Sequence, residues 1–590
     1  MTIEDRVQSL VNSLDHGVGI GLIRLFFFLL FSLSICSLYA WRQFNGLRDP
    51  DAMESAQLAR NVSMGKGFTT QCLRPSDLRA TPVHRTTSFT DLRLAPLYPA
   101  TLASGFRALR FFSRAPHPNA VMRAETRVIV PFGILVTVAT GVLLFLCGRH
   151  LFGPSVGLYA TIVFFLNEAV LSNATSGTAV SLAALLATGA VYAAIVASEN
   201  LAENRSTGLW GVPFFALSAV LAGAAFLTAY TLGTLVIALS LYLAFATPQW
   251  RWTRAILFIV ISLLIAAPWL WRNTALSGNP LGTAPQAALT DTFVFPGNSF
   301  QRTSAPEWNN YKVALALRLK LRAGLEHIVR NPVQSLGAGL MACFFLVSFF
   351  SRFGREEADR LRWPLALWIT MLLSCAAMAS APPASITAPA MPLVLLFGAA
   401  FLVAMLERTE FMDDALRAFA VWTAIALAAL PALLSLAGPR AAPSYPPYYP
   451  PYIEEVSRTL GPSETLCTDI PWATAWYGDR ASLLLPGTLS ELLSIHTNRL
   501  RIGGIYLTTE TGDQPYAWKL LDGTERDWLP LLNGEIPPGF PFRYGTTLPP
   551  GRRDQVFLTD RSGLAPVMPA GLPDASATSP APVPAAADPR

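Results

Sequence analysis

Apolar residues run along this chain in long unbroken stretches, without the two-residue alternation of a half-buried strand or the every-third-and-fourth spacing of a soluble helix. A helix needs roughly 20 apolar residues to cross a bilayer core, because backbone amides left unpaired in lipid are very costly. Such runs lie near 20–40, 128–147, 155–172, 178–197, 210–226, 231–247, 254–271, 334–351, 364–381, 387–406 and 418–437. The pattern predicts an all-α polytopic membrane helical bundle of about 11 transmembrane helices, with the pair at 210–247 barely interrupted by Thr228, Tyr230 and Thr231. The first run is long and no small-x-small cleavage site follows it, so it reads as a retained span, with Arg24 snorkelling at its inner end.

Between the runs the polar positions divide unevenly. With a cytoplasmic N-terminus (1–19), the inner loops and their edges hold Arg149, Arg205, Arg251, Arg254, Arg352, Arg355, Arg360, Arg362, Arg408 and Arg417. The short outer loops near 173–177, 227–230 and 382–386 hold no Lys or Arg. Basic residues stay on the cytoplasmic side, so three long segments, 41–127, 272–333 and 438–590, fall outside; in a bacterial inner (plasma) membrane that side is the periplasm. The domains expected are a transmembrane unit over 20–437, a Pro/Tyr linker over 438–451, a small α/β domain over 452–562 and a disordered Ala/Pro-rich tail over 563–590. Within the α/β domain the Thr488–His496 stretch reads as helical.

Composition agrees. The 590 residues are 52% hydrophobic and 14% charged, against about 25% charged in soluble domains. The net charge of +6 resides largely in short loops, which fits membrane orientation and argues against nucleic acid as a partner. The six cysteines form no CxxC pair or metal-ligand cluster; Cys72 and Cys467 lie outside the spans and read as unrelated thiols or as a pair. No P-loop, GxGxxG, HExxH or GxSxG is present. Ion-coupled transporters carry charges near the midplane, and here Glu168 is the main ionisable residue of the spans away from their inner ends. Three Asn-x-Ser/Thr tripeptides, at Asn61, Asn173 and Asn204, read as chance matches.

The candidate chemistry therefore lies on the outer face. In LRDPDAMESAQLARN, Asp49 is placed to cap a helix whose first residue is Pro50, and Asp51 and Glu54 follow on one face. Capping and helix-dipole stabilisation account for such carboxylates, and so does a general base facing a membrane-surface cavity. Arg74, Arg85 and Arg93 follow in a basic stretch, then LAPLYPATLA; each is either a solvated loop charge or part of a phosphate clamp. PWLWRNTALSGNP ends a span with Trp269 and Trp271 at the interface and Arg272 at headgroup depth. Glu168 is either an interfacial carboxylate or a second acidic residue of an outer site.

These motifs, in this order, resemble the GT-C superfamily of polytopic glycosyltransferases, nearest to the branch with aminoarabinose and mannosyl transferases and rhizobial galacturonosyltransferase-like proteins. The resemblance rests on the span followed by DPDAMESAQLARN and GKGF, on LAPLYPATLA, on PWLWRNTALSGNP, and on the outer α/β tail. It implies inverting transfer of a sugar from a polyprenyl-phosphate donor to an envelope glycan, lipid or protein acceptor. An acidic residue of the first outer loop would serve as base or, in some members, help hold a divalent metal. Asp51 matches that position best, then Asp49; Arg74, Arg85, Arg93 and Arg272 are the expected phosphate-binding residues. The chain departs from the pattern at Ala95, where some relatives are basic, in NATSGTAV, which lacks an acid, and in SITAPAMP, where an Arg-Tyr pair is common. Those departures suit the alternative expectation, a non-catalytic protein on the same scaffold that binds envelope glycans or a partner through its outer domain.

Overall fold

The structure, a computed structural model, describes residues 18–79, 89–112, 120–202, 211–247, 250–409, 413–440, 449–513, 526–532, 536–537, 540–549 and 555–564. It shows a multi-pass membrane protein: a helical bundle carrying a six-stranded sheet beyond one face. Among the described residues, seven helices are long and apolar enough to cross a membrane: α1 (Ile23–Gln43), α4 (Ala120–Leu151), α7 (Val180–Leu201), α10 (Arg251–Ser277), α13 (Glu356–Met378), α14 (Pro383–Glu407) and α15 (Asp414–Ala437). An eighth crossing is α5 (Pro154–Phe165) with α6 (Glu168–Thr175), bent by 59° at their junction. Helices α8 (Gly211–Phe226) and α9 (Tyr230–Ala246) are shorter.

All eleven apolar runs are thus helical, but fewer than eleven meet the length of a full span. The clearest departure is 334–351, expected as one span and found as Pro332–Leu336 and α12 (Leu340–Ser348). Gly337 and Gly339 lie between them at φ +67° and +56°, a region that glycine enters without the Cβ penalty, and the helix breaks there. Inside the bundle, small residues bring backbones together. A Cβ on Gly148 of α4 would stand 2.6 Å from the Cα of Gly157 in α5, so the α4–α5 contact is closed to larger side chains. Large side chains such as Phe165, Phe258, Trp368 and Phe397 are buried in the same core.

The long segments gather on one face. On the opposite face, Arg355 donates to the His150 carbonyl and Arg408 to that of Arg352 (3.2 Å), bringing arginines of separate loops together. On the long-segment face, α2 (Pro50–Ser63) packs against α3 (Leu97–Ala108). The sheet, in order β2-β5-β4-β6-β8-β7, consists of β2 (Cys72–Leu73), β4 (Thr465–Thr468), β5 (Ser482–Leu484), β6 (Ile502–Leu507), β7 (Tyr544–Leu548) and β8 (Gln555–Thr559). Its edge strand β2 comes from the first long segment and pairs in parallel with β5. A separate two-stranded ladder joins β1 (Thr69–Thr70) to β3 (Phe89–Thr90). The expected helix at 488–496 is Leu489–Asn498, with the Thr488 side chain capping it from outside.

The sheet also settles the cysteines, all six of which are free. Cys72 lies level with Ser482 and Cys467 with Leu483, on strands separated by β5. Two inter-strand spacings are roughly 10 Å, beyond the Cα range of about 4.4–6.8 Å that a disulfide bridges.

Side chains of the first long segment lock the sheet to the bundle. Buried Arg60 donates to the carbonyls of Trp476 (2.9 Å) and Ala475 (2.7 Å), pairs with Asp479 (2.9 Å) and stacks over Trp476. Trp476 Nε1 donates to Glu125 Oε1 at 2.7 Å, in a π-helical turn at the head of α4. From the second long segment, Arg302 Nε donates to the Leu485 carbonyl at 2.8 Å. The sheet is therefore held by side chains of both the first and the second long segment.

Candidate functional site

The turn into α2 sets the site. Asp49 holds an extended backbone, and its Oδ1 accepts from the amides of Asp51 (2.8 Å) and Ala52 (3.2 Å), with Pro50 opening the helix. Asp49 is thus a cap whose oxygen is committed to backbone donors. Replacing it by Ala is expected to cost about 1 kcal/mol, read as a lower thermal midpoint of the detergent-solubilised protein.

One turn on, Asp51 and Glu54 point to the same side and meet the arginines of the following stretch. Glu54, 4% exposed, pairs with Arg74 and, at 3.0 Å, with Arg93. Arg93 also pairs with Asp51, whose side chain is 65% exposed. Two guanidiniums thus share one buried carboxylate, and one of them reaches on to a carboxylate open to water. Arg74 is steadied by Gln301 Oε1, 3.2 Å from its Nε. The Arg93 guanidinium holds the Asp51 carboxyl below the ordinary aspartate range, so it is ionised at neutral pH.

An open recess lies beside this cluster, lined by Arg74, Asp77, Asp91, Arg93, Thr70 and Thr283 among others. A second shares Arg74, Asp77, Arg93 and Thr283 and continues to Gln286 and Gln301. Arg272 adjoins them: its Nη2 donates to the Asp91 carbonyl at 3.1 Å, its Nη1 to Asn273 at 2.9 Å. The guanidinium stacks 4.2 Å over Trp269, with Phe68 beyond. Tyr230 fixes this corner by accepting from Trp269 Nε1 (2.8 Å) and Asn273 Nδ2 (3.4 Å).

The structure therefore brings together Asp49, Asp51, Glu54, Arg74, Arg93 and Arg272. Arg85 lies outside the described residues. Glu168 sits elsewhere, at the bend between α5 and α6, where Tyr39 of α1 donates to its Oε1 at 2.7 Å. Sequence reasoning missed Asp77 and Asp91. Asp91 stands two residues before Arg93, yet nothing in TDLR marks it as buried. Burial pushes its carboxyl up to about 6, from an ordinary 3.8. Folding then takes up a proton between those values, so this group adds stability at low pH and loses it as pH rises from about 4 to about 6. The thermal midpoint of wild type minus that of Asp91→Asn is expected to rise as the buffer goes from pH 7 to pH 5; a flat difference contradicts it.

Among the described residues no group of three or more His, Cys, Asp or Glu is arranged to hold a metal ion. Of the site's carboxylates, Asp49 faces amides and Glu54 is bonded to two guanidiniums, so these two are already committed to other partners.

No protein-family model matches the chain. No curated protein matches it either. Solved structures do, and they show the fold, one shared with other polytopic membrane proteins. ArnT from Cupriavidus metallidurans in the apo state superposes at TM-score 0.50 with 12% identity over 93% of this chain and 99% of that one. The same protein bound to undecaprenyl phosphate gives 0.51 with 13% identity, over 92% and 99%. The oligosaccharyltransferase of Archaeoglobus fulgidus, in a complex with Zn and sulfate, gives 0.57 with 13% identity over 88% of this chain and 72% of that one. Likeness at this identity carries the fold.

Proposed function

We propose that this protein is a membrane glycosyltransferase that moves a sugar from a polyprenyl-phosphate donor to an envelope glycan, lipid or protein acceptor on the extracytoplasmic face. The observation that carries the reading is the pairing of water-accessible Asp51 with Arg93, which Glu54 and Arg74 hold from behind beside an open recess. The solved relatives support the donor class: one holds undecaprenyl phosphate, and the archaeal enzyme has been seen with dolichol phosphate and an inhibitory peptide.

A polyprenyl donor keeps its tail in lipid and its phosphate at headgroup level, while the acceptor hydroxyl arrives from water. Arg93, Arg74 and Arg272 provide cationic donors for the phosphate. The acceptor oxygen attacks the anomeric carbon from the face opposite the phosphate. The bond from that carbon to the phosphate oxygen breaks, and its electron pair leaves on the phosphate, which the guanidiniums stabilise. The hydroxyl proton passes to the Asp51 carboxylate. The products are a glycoside of inverted configuration and polyprenyl phosphate. Asp49 and Glu54 act by positioning: one fixes the helix start, the other holds the arginines. Glu168, bonded to Tyr39 away from the recess, takes no part in this scheme.

Mass spectrometry of envelope lipids and glycans from a deletion strain tests the reading. A sugar missing from one envelope component, restored by the wild-type gene, is expected and would name donor and acceptor together. An unchanged envelope, with a purified protein that binds glycan but turns over no polyprenyl donor, would favour the non-catalytic alternative.

A further inference from the structure

The second long segment ends in a helix that the site does not use, α11 (Asn310–Arg330). One of its faces is turned to the protein. Ala316 and Ile328 are buried there, and a Cβ on Gly324 would stand 2.4 Å from the carbonyl oxygen of Ala377. Ile328 packs with Ala376 and Ala377, at the long-segment end of α13. On the same face Lys320 Nζ donates to the Thr290 carbonyl at 2.6 Å, tying α11 to the stretch that leads to Gln301 and the recess. The helix is thus seated where a membrane span ends.

The opposite face is bare. Tyr311, Leu315, Arg318, Arg322, Leu325 and Val329 follow at spacings of three and four and form one stripe. Tyr311 is 78% and Val329 76% exposed, and both arginines are exposed. Glu326 is the helix's one acidic residue, and Arg330 pairs with it at 2.5 Å, which leaves the stripe's own charge positive. An apolar face in water at the end of a span would be costly, whereas lipid at headgroup depth suits both parts of it. Tyr and the aliphatic side chains enter the acyl boundary, and the arginine stems lie along it while their guanidiniums reach phosphates.

We infer that α11 is an interfacial helix whose Tyr311–Val329 stripe lies in the outer leaflet, with Arg318 and Arg322 binding anionic phosphate headgroups. The stretch roofing the recess is then anchored to the plane in which lipid phosphates sit. This inference does not depend on the transferase reading.

The test uses full-length protein in nanodiscs, with Cys343→Ser and Cys375→Ser removing the more accessible thiols. A bimane probe is placed at Val329→Cys in the stripe or at His327→Cys on the other exposed flank. The Val329 probe is expected to be quenched by lipids brominated on their acyl chains and shielded from iodide, and the His327 probe to behave the opposite way. Iodide quenching of the Val329 probe without lipid quenching would overturn the inference. Shielding from both quenchers would also overturn it, in favour of a second protein copy on this face. In phosphatidylcholine discs doped with brominated phosphatidylglycerol, Arg318→Gln with Arg322→Gln is expected to lower quenching at Val329 several-fold, with brominated phosphatidylcholine unaffected. Unchanged phosphatidylglycerol quenching would remove the headgroup role of the arginines.

Discussion

Asp51→Asn is expected to abolish sugar transfer while leaving an inserted, folded protein. The Asp51 side chain is 65% exposed, and Arg93 keeps buried Glu54 as a partner, so loss of the Asp51 charge should cost little stability. An amide of the same shape cannot take the acceptor's proton, and general-base contributions are roughly 10²–10⁴-fold. In cells, the variant should insert at wild-type level and fail to restore the sugar that the deletion strain lacks. Full complementation would remove Asp51 from the mechanism. The neighbouring charge gives a second check on the same residue. Because Arg93 holds the Asp51 carboxyl low, Arg93→Gln should raise the pH at which Asp51 becomes protonated. Any residual transfer in that variant should then fall off at higher pH than in wild type.

Glu54→Gln is expected to act on stability. Glu54 is 4% exposed and is the shared partner of Arg74 and Arg93. Removing its charge takes the paired carboxylate from buried Arg74 and leaves Arg93 with Asp51 alone, and breaking a buried ion pair from one side costs about 3–5 kcal/mol. The variant should lose thermal stability and folded yield. Adding Arg74→Met to Glu54→Leu should recover a large part of that loss, because the apolar pair removes both buried charges together. A Glu54→Gln protein as stable as wild type would show that Arg74 has another counter-ion.

What could be read along the chain was local. The start of α2 at Asp49 and Pro50 and the capped helix after Thr488 follow from short-range rules, and both are present. The apolar runs are helical for the same reason. Their count as full spans was less legible, because hydropathy cannot register a break such as the one at Gly337 and Gly339 within 334–351. The strand β2 has two residues, too few for any period, and its pairing with β5 joins distant parts of the chain. Nothing local announces that Cys72 and Leu73 extend a sheet otherwise built after residue 460.

The site divides the same way. Its acidic helix and its arginines were visible as residue types at suggestive spacings. Their partnership was not. Only the fold shows that Glu54 is buried between two guanidiniums, that Asp51 remains open to water, and that Asp49 is occupied by amides. Asp77 and Asp91 carry no local mark in the sequence, and only the fold places them along the recess. Glu168, expected as a possible second acid, accepts from Tyr39 at a helix bend, a partnership that no local pattern announces.

The most direct measurement is turnover by the purified protein in proteoliposomes, given a polyprenyl-phosphate donor whose radiolabelled sugar is the one missing from the deletion strain, together with the matching acceptor. Wild type should release one polyprenyl phosphate for each labelled glycoside formed, and Asp51→Asn should release neither. Acceptor that stays unlabelled with wild-type protein and authentic substrates, or equal labelling by the two proteins, would contradict the account.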